Sequence, residues 1–404
     1  MGKPPPLAVN PLSWYSTAML APEDRVISLR LPPTLRFGRG CAVQLVEDLT
    51  ARGVRKVLVV TAGPIVSLAE PIVRALQDRG VSVILRDSVN AEPDRTVFEA
   101  ILREARSAAV DTVVGIGGGS ALDVAKLVAA LVHADQSVQE VFGIDKVRAR
   151  TTHLACLPTT AGTGSEVSPN AILLDEADHL KKAVVSPWLV PDAAYVDPLL
   201  TRGVPPAVTA ATGLDALTHC IEAYANRFAH PITDLLALKG IELIGANLET
   251  ACRDGANMEA RTALALGSLY GGLCLGPVNT GAVHALAYPL GSEYHVPHGL
   301  SNAVLLAGVM EFNLPAMAQR YGQVALALGC PRQAADLQTA SLGVERIRQL
   351  TRRCGAHPSL SQWGVTDQDI ERLARSAMTV TRLLKNNPRE VTLEDAEALY
   401  RGLL

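Results

Sequence analysis

Aromatic side chains are scarce: Phe, Trp and Tyr make up 4% of the 404 residues, whereas 48% are apolar. A core built from this chain is therefore aliphatic, mostly Ala, Val and Leu, as is usual for α/β and helical domains. An excess of charge of one sign is also missing. The 37 basic and 40 acidic residues leave a net charge of −3, and no Lys/Arg-rich run stands out. Nothing in this balance draws the chain to nucleic acid or to an anionic membrane. A disulfide framework is excluded as well, since the seven cysteines are odd in number, scattered and without a CxxC. They read as reduced, mostly buried thiols, which places the protein in the cytoplasm. No apolar run approaches the roughly eighteen residues a membrane helix requires. The N-terminal "MGKPPPLAVNPLSWYSTAML" has no apolar h-region, and Pro6 stands where a myristoylation motif needs Ser or Thr. Residues 1–33 read as a loose N-terminal extension of a soluble protein. Internal repeats and low-complexity tracts are absent.

The length exceeds what one hydrophobic core accommodates, so two domains are expected. Up to about residue 200 the chain alternates short β-branched runs with amphipathic segments. "KVLVV" (56–60), "VSVIL" (81–85), "DTVVGI" (111–116) and "THLACL" (152–157) suit buried parallel strands. Helical patterns lie between them at about 66–79, 94–108 and 120–133. This alternation predicts βαβ units and a parallel sheet with helices on both faces. Irregular strands are expected around "NAILLD" and "KKAVVS". From about residue 203 the pattern is helical only, with stretches at 208–225, 232–251, 257–275 and 366–378. The fold class is thus an α/β N-terminal domain with a parallel sheet (34–202) followed by an all-α C-terminal domain (203–404).

Two glycine- and hydroxyl-rich loops follow buried strands. In "GIGGGSALDVAK" (115–126) the glycines permit close backbone approach to a pyrophosphate, and the following helix offers free N–H groups and the positive end of its dipole. Ser120 and Asp123 form an S-x-x-D arrangement expected to cap that helix. The dinucleotide fingerprint G-x-G-x-x-G is absent, and an ordinary tight turn is the plain alternative. In "PTTAGTGSEVSPN" (158–170), Thr159, Thr160, Thr163 and Ser165 either hydrogen-bond a ribose or phosphate or satisfy local backbone. Two such loops at adjacent strand ends suit an extended ligand such as a dinucleotide.

In "GLDALTHCIE", Asp215 and His219 are one helical turn apart on one face. Downstream, "GAVHALAYPLGSEYHVPHGLSNAV" places His284 in a helical stretch and His295 and His298 around a Pro-Gly turn. Five of the nine histidines (219, 230, 284, 295 and 298) fall in this region, and only a subset can converge. Three imidazoles and a carboxylate suit Fe²⁺, Zn²⁺ or another first-row divalent ion acting as a Lewis acid. A satisfied core histidine or a helix cap is the plain alternative for each.

The segments "GGGSALDVAK", "PTTAGTGSEV", "GLDALTHCIEAY", "HALAYPLGSEYHVPHGLSNA" and "NNPREVTLEDAEALY" together resemble the iron-containing (group III) alcohol dehydrogenases, in order and spacing, over Thr34 to Leu404. The resemblance implies metal ligands at Asp215, His219, His284 and His298. It implies a pyrophosphate loop at Gly118, Gly119 and Ser120, cofactor contacts at Thr159, Thr160 and Lys181, and substrate contacts at Ser168 and Asn170. It further implies Fe²⁺ (or Zn²⁺ or another divalent ion), NAD(H) or NADP(H), a small alcohol or aldehyde substrate, and a homodimer or higher homo-oligomer. His230 and His295 are not expected to be ligands. Two departures stand out. Where many members carry an Asp that binds the adenosine ribose, this chain has Ala62 and Gly63, which leaves a 2′-phosphate unrepelled. Four residues after His284, where many have another His, stands Tyr288, a candidate to line the site or relay a proton. The rival readings are a hydroxyacid–oxoacid transhydrogenase of the same superfamily and a dehydroquinate-synthase-like lyase.

Overall fold

A computed structural model describes residues 25–89, 93–176, 180–356 and 359–404. Residues 1–24 of the expected extension lie outside the described residues. The described residues form nine strands: β1 (Thr34–Phe37), β2 (Lys56–Val60), β3 (Ser82–Arg86), β4 (Thr112–Gly117), β5 (Gly143–Ile144), β6 (His153–Pro158), β7 (Asn170–Asp175), β8 (Leu180–Val185) and β9 (Ala193–Val196). Six of them form a parallel sheet in the order β1-β9-β6-β4-β2-β3. The four strands expected from β-branched runs lie within one residue of their predicted bounds. The two irregular strands form an antiparallel pair, β7 with β8, in a separate small sheet with β5.

The period of two along β2 divides the core. Leu58 and Val60 join one buried cluster, Val57 and Val59 the other. Helices α1 (Gln44–Ala51) and α2 (Val66–Gln77) cover the second face, whereas α3 (Arg95–Ala108) and α4 (Gly119–Leu131) cover the first. Helices α2 and α3 each bury an i, i+3, i+4, i+7 stripe, such as Ala69, Ile72, Val73 and Leu76 of α2. Helix α4 is instead buried almost all round, from Ala121 to Leu131. A short α5 (Val138–Val141) precedes β5.

From Pro206 onward the described chain is helical: α6 (Pro206–Tyr224), α7 (Pro231–Arg253), α8 (Met258–Leu275), α9 (Ala282–Tyr294), α10 (His298–Ala327), α11 (Asp336–Arg353), α12 (Ile370–Met378), α13 (Thr381–Leu384) and α14 (Leu393–Arg401). Their apolar faces form one cluster that includes Leu217, Ile221, Ile244, Leu286 and Leu306. Helix α10 kinks at Met317, two residues after Pro315. By length and composition α10 is apolar enough to cross a membrane, which the absence of long apolar runs had not suggested. Its most apolar window is 56% buried within the protein, and its N-terminal turn carries His298 and Asn302, so it is a core helix here.

The helical region meets the sheet through the 158–170 loop. At Gly164 the backbone is left-handed (φ 62°), and a Cβ there would lie 2.3 Å from the Cα of Gly272 on α8. Only glycine fits this contact, which fixes the loop against α8.

Candidate metal and dinucleotide site

Strand β4 ends at Gly117, Gly118 is the N-cap of α4 in an extended conformation, and α4 begins at Gly119. No side-chain hydrogen bond caps this helix at Gly118. The expected cap from Ser120 and Asp123 is not formed. Because the helix starts at Gly119, Asp123 lies one turn inside it and bonds elsewhere, accepting from Ser165 Oγ (2.5 Å) and the Ile172 amide (3.0 Å). A Cβ on Gly119 would sit 2.6 Å from Thr163 Cγ2, whereas one on Gly118 would keep 3.4 Å from Thr160 Oγ1. The 115–126 and 158–170 loops are therefore in direct contact. Thr159 is buried, its amide donating to the Gly117 carbonyl at 2.9 Å, while Thr160 is half-buried. Ala62 leads into a short 3-10 turn at the end of β2 and pairs with Ser88 beyond β3.

Beneath the second loop lies Lys126, fully buried. Its ammonium donates to the carbonyls of Ser165 (2.9 Å) and Ser168 (2.8 Å), to Ser165 Oγ (3.0 Å) and to the Asn170 carbonyl. Burial pulls the lysine down and pushes Asp123 up, each partly offset by the other's charge. Burial also raises the nearby Glu166 to about 7. Ser168 is thus placed against Lys126, whereas Asn170, at the start of β7, keeps a buried Oδ1 without a hydrogen-bond partner. Neither Lys126 nor Asp123 was singled out in the sequence as holding this loop.

The four residues matched to metal ligands converge. Asp215 Oδ1 lies 3.5 Å from His284 Nε2, 3.7 Å from His298 Nε2 and 3.8 Å from His219 Nε2. The Asp215, His284 and His298 donor atoms all fall within 4.8 Å of one another. His219 flanks them, its ring stacked on His284 at 4.8 Å, and it lies beside the Gly162 backbone of the second loop. Asp215 and His219 share the buried face of α6, His284 is on α9, and His298 opens α10 instead of lying in a turn, with Gly299 inside the helix.

This donor set fits a first-row divalent ion. Around a tetrahedral ion with bonds of about 2.1 Å, neighbouring donors stand roughly 3.4 Å apart, close to the separations from Asp215. Positive charge is favoured at the focus: the Asn302 amide points its Nδ2 there, 2.7 Å from Asp215 Oδ1 and 3.0 Å from His284 Nε2. Burial opposes ionisation of Asp215, but the three imidazoles hold its carboxyl well below the usual range. Burial drives His298 down to about 3, with His284 and Lys181 adding to the effect, and it lowers His219 as well. Burial would lower His284 too, yet Glu222 and Asp215 outweigh it and raise this imidazole to about 9. The His298 side chain is 31% exposed against 3–6% for the other three, so the cluster opens on that side.

Two neighbours were missed in the sequence. Glu222 Oε2 lies 2.6 Å from His284 Nδ1, and Asn302 stands one turn after His298. Helical spacing carried both: Asp215, His219 and Glu222 follow a 4+3 interval, and His298 and Asn302 an interval of four. Tyr288, one turn after His284, has its ring 6.3 Å from that of His298, and the Arg382 guanidinium lies near enough to act on its hydroxyl electrostatically. Lys181 reaches from β8 to Gly291 of α9 and places positive charge near His298. His230 and His295 do not join the cluster. His230 caps α7, its Nδ1 accepting from the Ile232 amide at 3.2 Å, and His295 ends α9 in a left-handed conformation.

Residues 32–198 match the family described as iron-containing alcohol dehydrogenase, and residues 209–404 match the Fe-containing alcohol dehydrogenase family, C-terminal. Alcohol dehydrogenase 4 of Schizosaccharomyces pombe is 35% identical over 98% of this chain and 93% of its own length. The crystal structure of 1,3-propanediol oxidoreductase superimposes with a TM-score of 0.91 at 31% identity, covering 94% of this chain and all of that one (100%). Sulfoacetaldehyde reductase from Bifidobacterium kashiwanohense, solved in complex with NAD+, gives a TM-score of 0.84 at 30% identity, covering 94% of this chain and 99% of that one. With this shared sequence, the parallel sheet and the helical region carrying the Asp/His cluster, the chain belongs to the iron-containing alcohol dehydrogenase family and is an oxidoreductase.

Proposed function

We propose that the protein reduces small aldehydes or ketones and oxidises the corresponding alcohols, using NAD(H) or NADP(H) and one divalent ion, Fe²⁺ in the first instance. The ion's ligands in this reading are Asp215, His219, His284 and His298, and the division of labour falls at residues 202/203. The observation that carries it is the approach of three imidazole nitrogens to one buried carboxylate oxygen at 3.5–3.8 Å, beside a loop that also touches the start of α4. When bound, the ion supplies Lewis acidity to the substrate oxygen and the nicotinamide supplies or accepts the hydride.

The chain's own residues set up that chemistry. The Gly118–Gly119–Ser120 amides at the start of α4 bind phosphate oxygens, favoured by the helix dipole. Thr159 and Thr160 line the same approach. Glu222 holds a proton on His284 Nδ1, which reserves Nε2, the nitrogen facing Asp215, as the ligand atom for an ion that displaces its proton. His298 borders the side through which substrate reaches the cluster. Burial raises the Tyr288 hydroxyl, with Arg382 opposing, so Tyr288 Oη serves as a hydrogen-bond donor to the substrate oxygen and not as a base.

The test is a panel of aldehydes and ketones against NADH and NADPH, with Fe²⁺- and Zn²⁺-loaded protein. Carbonyl-dependent oxidation of free reduced cofactor is expected. Its absence in both loaded forms would reject the proposal, and turnover between a hydroxyacid and an oxoacid without free cofactor would establish the transhydrogenase instead.

A further inference from the structure

Beside Tyr288 a cleft of about 270 Å³ opens between the small sheet and the helical region. Three of its lining residues are cationic (Arg25, Arg382 and Lys385) and none is acidic. Among the described residues no carboxylate pairs with any of the three. Arg25 instead donates to the Phe228 carbonyl and lies over the Phe228 ring, and its Nε is buried without a hydrogen-bond partner. Arg382 is half-buried, and its charge acts on the nearby hydroxyl of Tyr288. Cations gathered in a concave, partly desolvated place without acids make a focused positive potential. Structural arginines of this fold are treated differently; Arg346, for example, meets Glu249 at 2.9 Å.

The cleft borders neighbours of the candidate site on two sides. Its lining residue Arg382 lies near Tyr288, whose ring is 6.3 Å from that of His298. Gly276 of the lining stands against Pro169, with a Cβ-position distance of 3.5 Å, and the next residue is Asn170 with its unpaired Oδ1. No lining residue belongs to the 115–126 or 158–170 loops, so these cations are set apart from the phosphate-binding amides of α4. Of the remaining lining residues Asn279 and Asn386 are polar, while Ile144, Val185, Phe228, Pro277 and Val278 give an apolar stretch that suits a short carbon chain between the two ends.

We propose that this cleft selects substrates carrying an anionic end group (carboxylate, sulfonate or phosphate), held by Arg382 with support from Lys385 and Arg25 while the carbonyl faces the Asp/His cluster. The inference rests on the carbonyl-reductase reading and names its substrate class. Arg382 is the specificity-determining residue, because its planar fork pairs bidentately with such groups.

The experiment compares succinic semialdehyde with butanal, equal in chain length, in steady state with NADH. The wild-type protein is expected to favour the semialdehyde at least tenfold in kcat/KM. Arg382→Gln is expected to raise the semialdehyde KM about tenfold or more while leaving the KM for butanal and NADH within about threefold. Arg382→Lys should recover part of the loss, and Lys385→Gln, at an exposed position, should show the same trend more weakly. Equal losses on both aldehydes would mean that Arg382 serves only Tyr288, and a raised NADH KM would assign the cleft to the cofactor; either result overturns the proposal. Succinate binding to the full chain, measured by calorimetry in wild type and Arg382→Gln, separates the two readings. If neither aldehyde turns over, the reductase reading fails, while Arg382-dependent succinate binding still upholds the anion site and its absence rejects it.

Discussion

His284 Nδ1 and Glu222 Oε2 are 2.6 Å apart, and the other oxygen of that carboxylate accepts the Val283 amide at 2.7 Å. One buried acid therefore fixes both the tautomer of an imidazole and the first turn of the helix that carries it. Glu222→Gln preserves the shape and removes the charge. Metal affinity, read by competition with a chelator, is expected to fall about 10- to 100-fold. An unchanged dissociation constant would show that Glu222 only anchors α9.

His219→Ala should strip one donor from the cluster and lower both metal content and turnover steeply. His230→Ala and His295→Ala are the controls. The first loses a helix cap and should cost about 1 kcal/mol of stability while retaining metal. Elemental analysis of the three purified variants decides the matter. Full metal occupancy in His219→Ala would remove it from the ligand set.

Much of this arrangement was legible in the chain itself, and the gaps have physical causes. The strands β2, β4 and β6 are buried on both faces, which forces runs of apolar, largely β-branched residues that read plainly, and the half-buried edge strand β3 keeps such a run as well. β1 (TLRF) and β9 (AAYV) are four residues each, too short for a pattern to emerge from the surrounding loops. The Asp/His cluster was identified through its motifs, since convergence of four side chains from three helices is a tertiary fact that spacing alone leaves open. Asp123 illustrates the reverse failure. A local capping rule claimed it, but the helix begins at Gly119 and the carboxylate satisfies a neighbouring loop instead.

Lys126 is the buried cation that holds the 158–170 loop by three of its carbonyls. Lys126→Met keeps the volume and the apolar stem but leaves those carbonyls unpaired and Asp123 without its opposite charge. A loss of about 3–5 kcal/mol is expected, since one partner of a buried charged network has been removed. Denaturant melts measure it. A change below about 1 kcal/mol would show that the loop is held by its glycine contacts alone.

The phosphate cradle is tested most cleanly at Gly118, where a Cβ meets Thr160 at 3.4 Å and the protein has room for it. Gly118→Ala should raise the cofactor KM about tenfold, equivalent to 1.4 kcal/mol, with little change in aldehyde KM or melting temperature. Gly119→Val is the poorer probe, because its side chain would strike Thr163 and disturb the loop itself. If Gly118→Ala alters both Michaelis constants equally, the turn is structural and not a cradle.

Cofactor choice turns on the ends of β2 and β3, which the fold sets side by side. Ala62 pairs with Ser88, and a Cβ on Gly63 would lie 3.7 Å from the Asp87 carbonyl. The β2 turn carries no carboxylate to repel a 2′-phosphate, but the neighbouring turn contributes the exposed Asp87, which sequence reasoning restricted to "VVTAGPI" overlooked. After β2 the first basic residue in sequence is Arg74, and Arg86 at the end of β3 is paired with Glu104, which leaves backbone amides as the partners of a 2′-phosphate in the β2 turn. Use of both cofactors is expected, with the NADPH/NADH ratio of kcat/KM within about a hundredfold, or roughly 2.7 kcal/mol. Ala62→Asp should move the ratio towards NADH by adding a ribose acceptor and repulsion against the phosphate. Asp87→Asn should move it the other way by a smaller factor, because an exposed carboxylate is screened by solvent and salt. Steady-state kinetics of the three proteins with both cofactors measures the shifts. If the ratio stays fixed in both variants, the adenosine ribose does not lie at these strand ends.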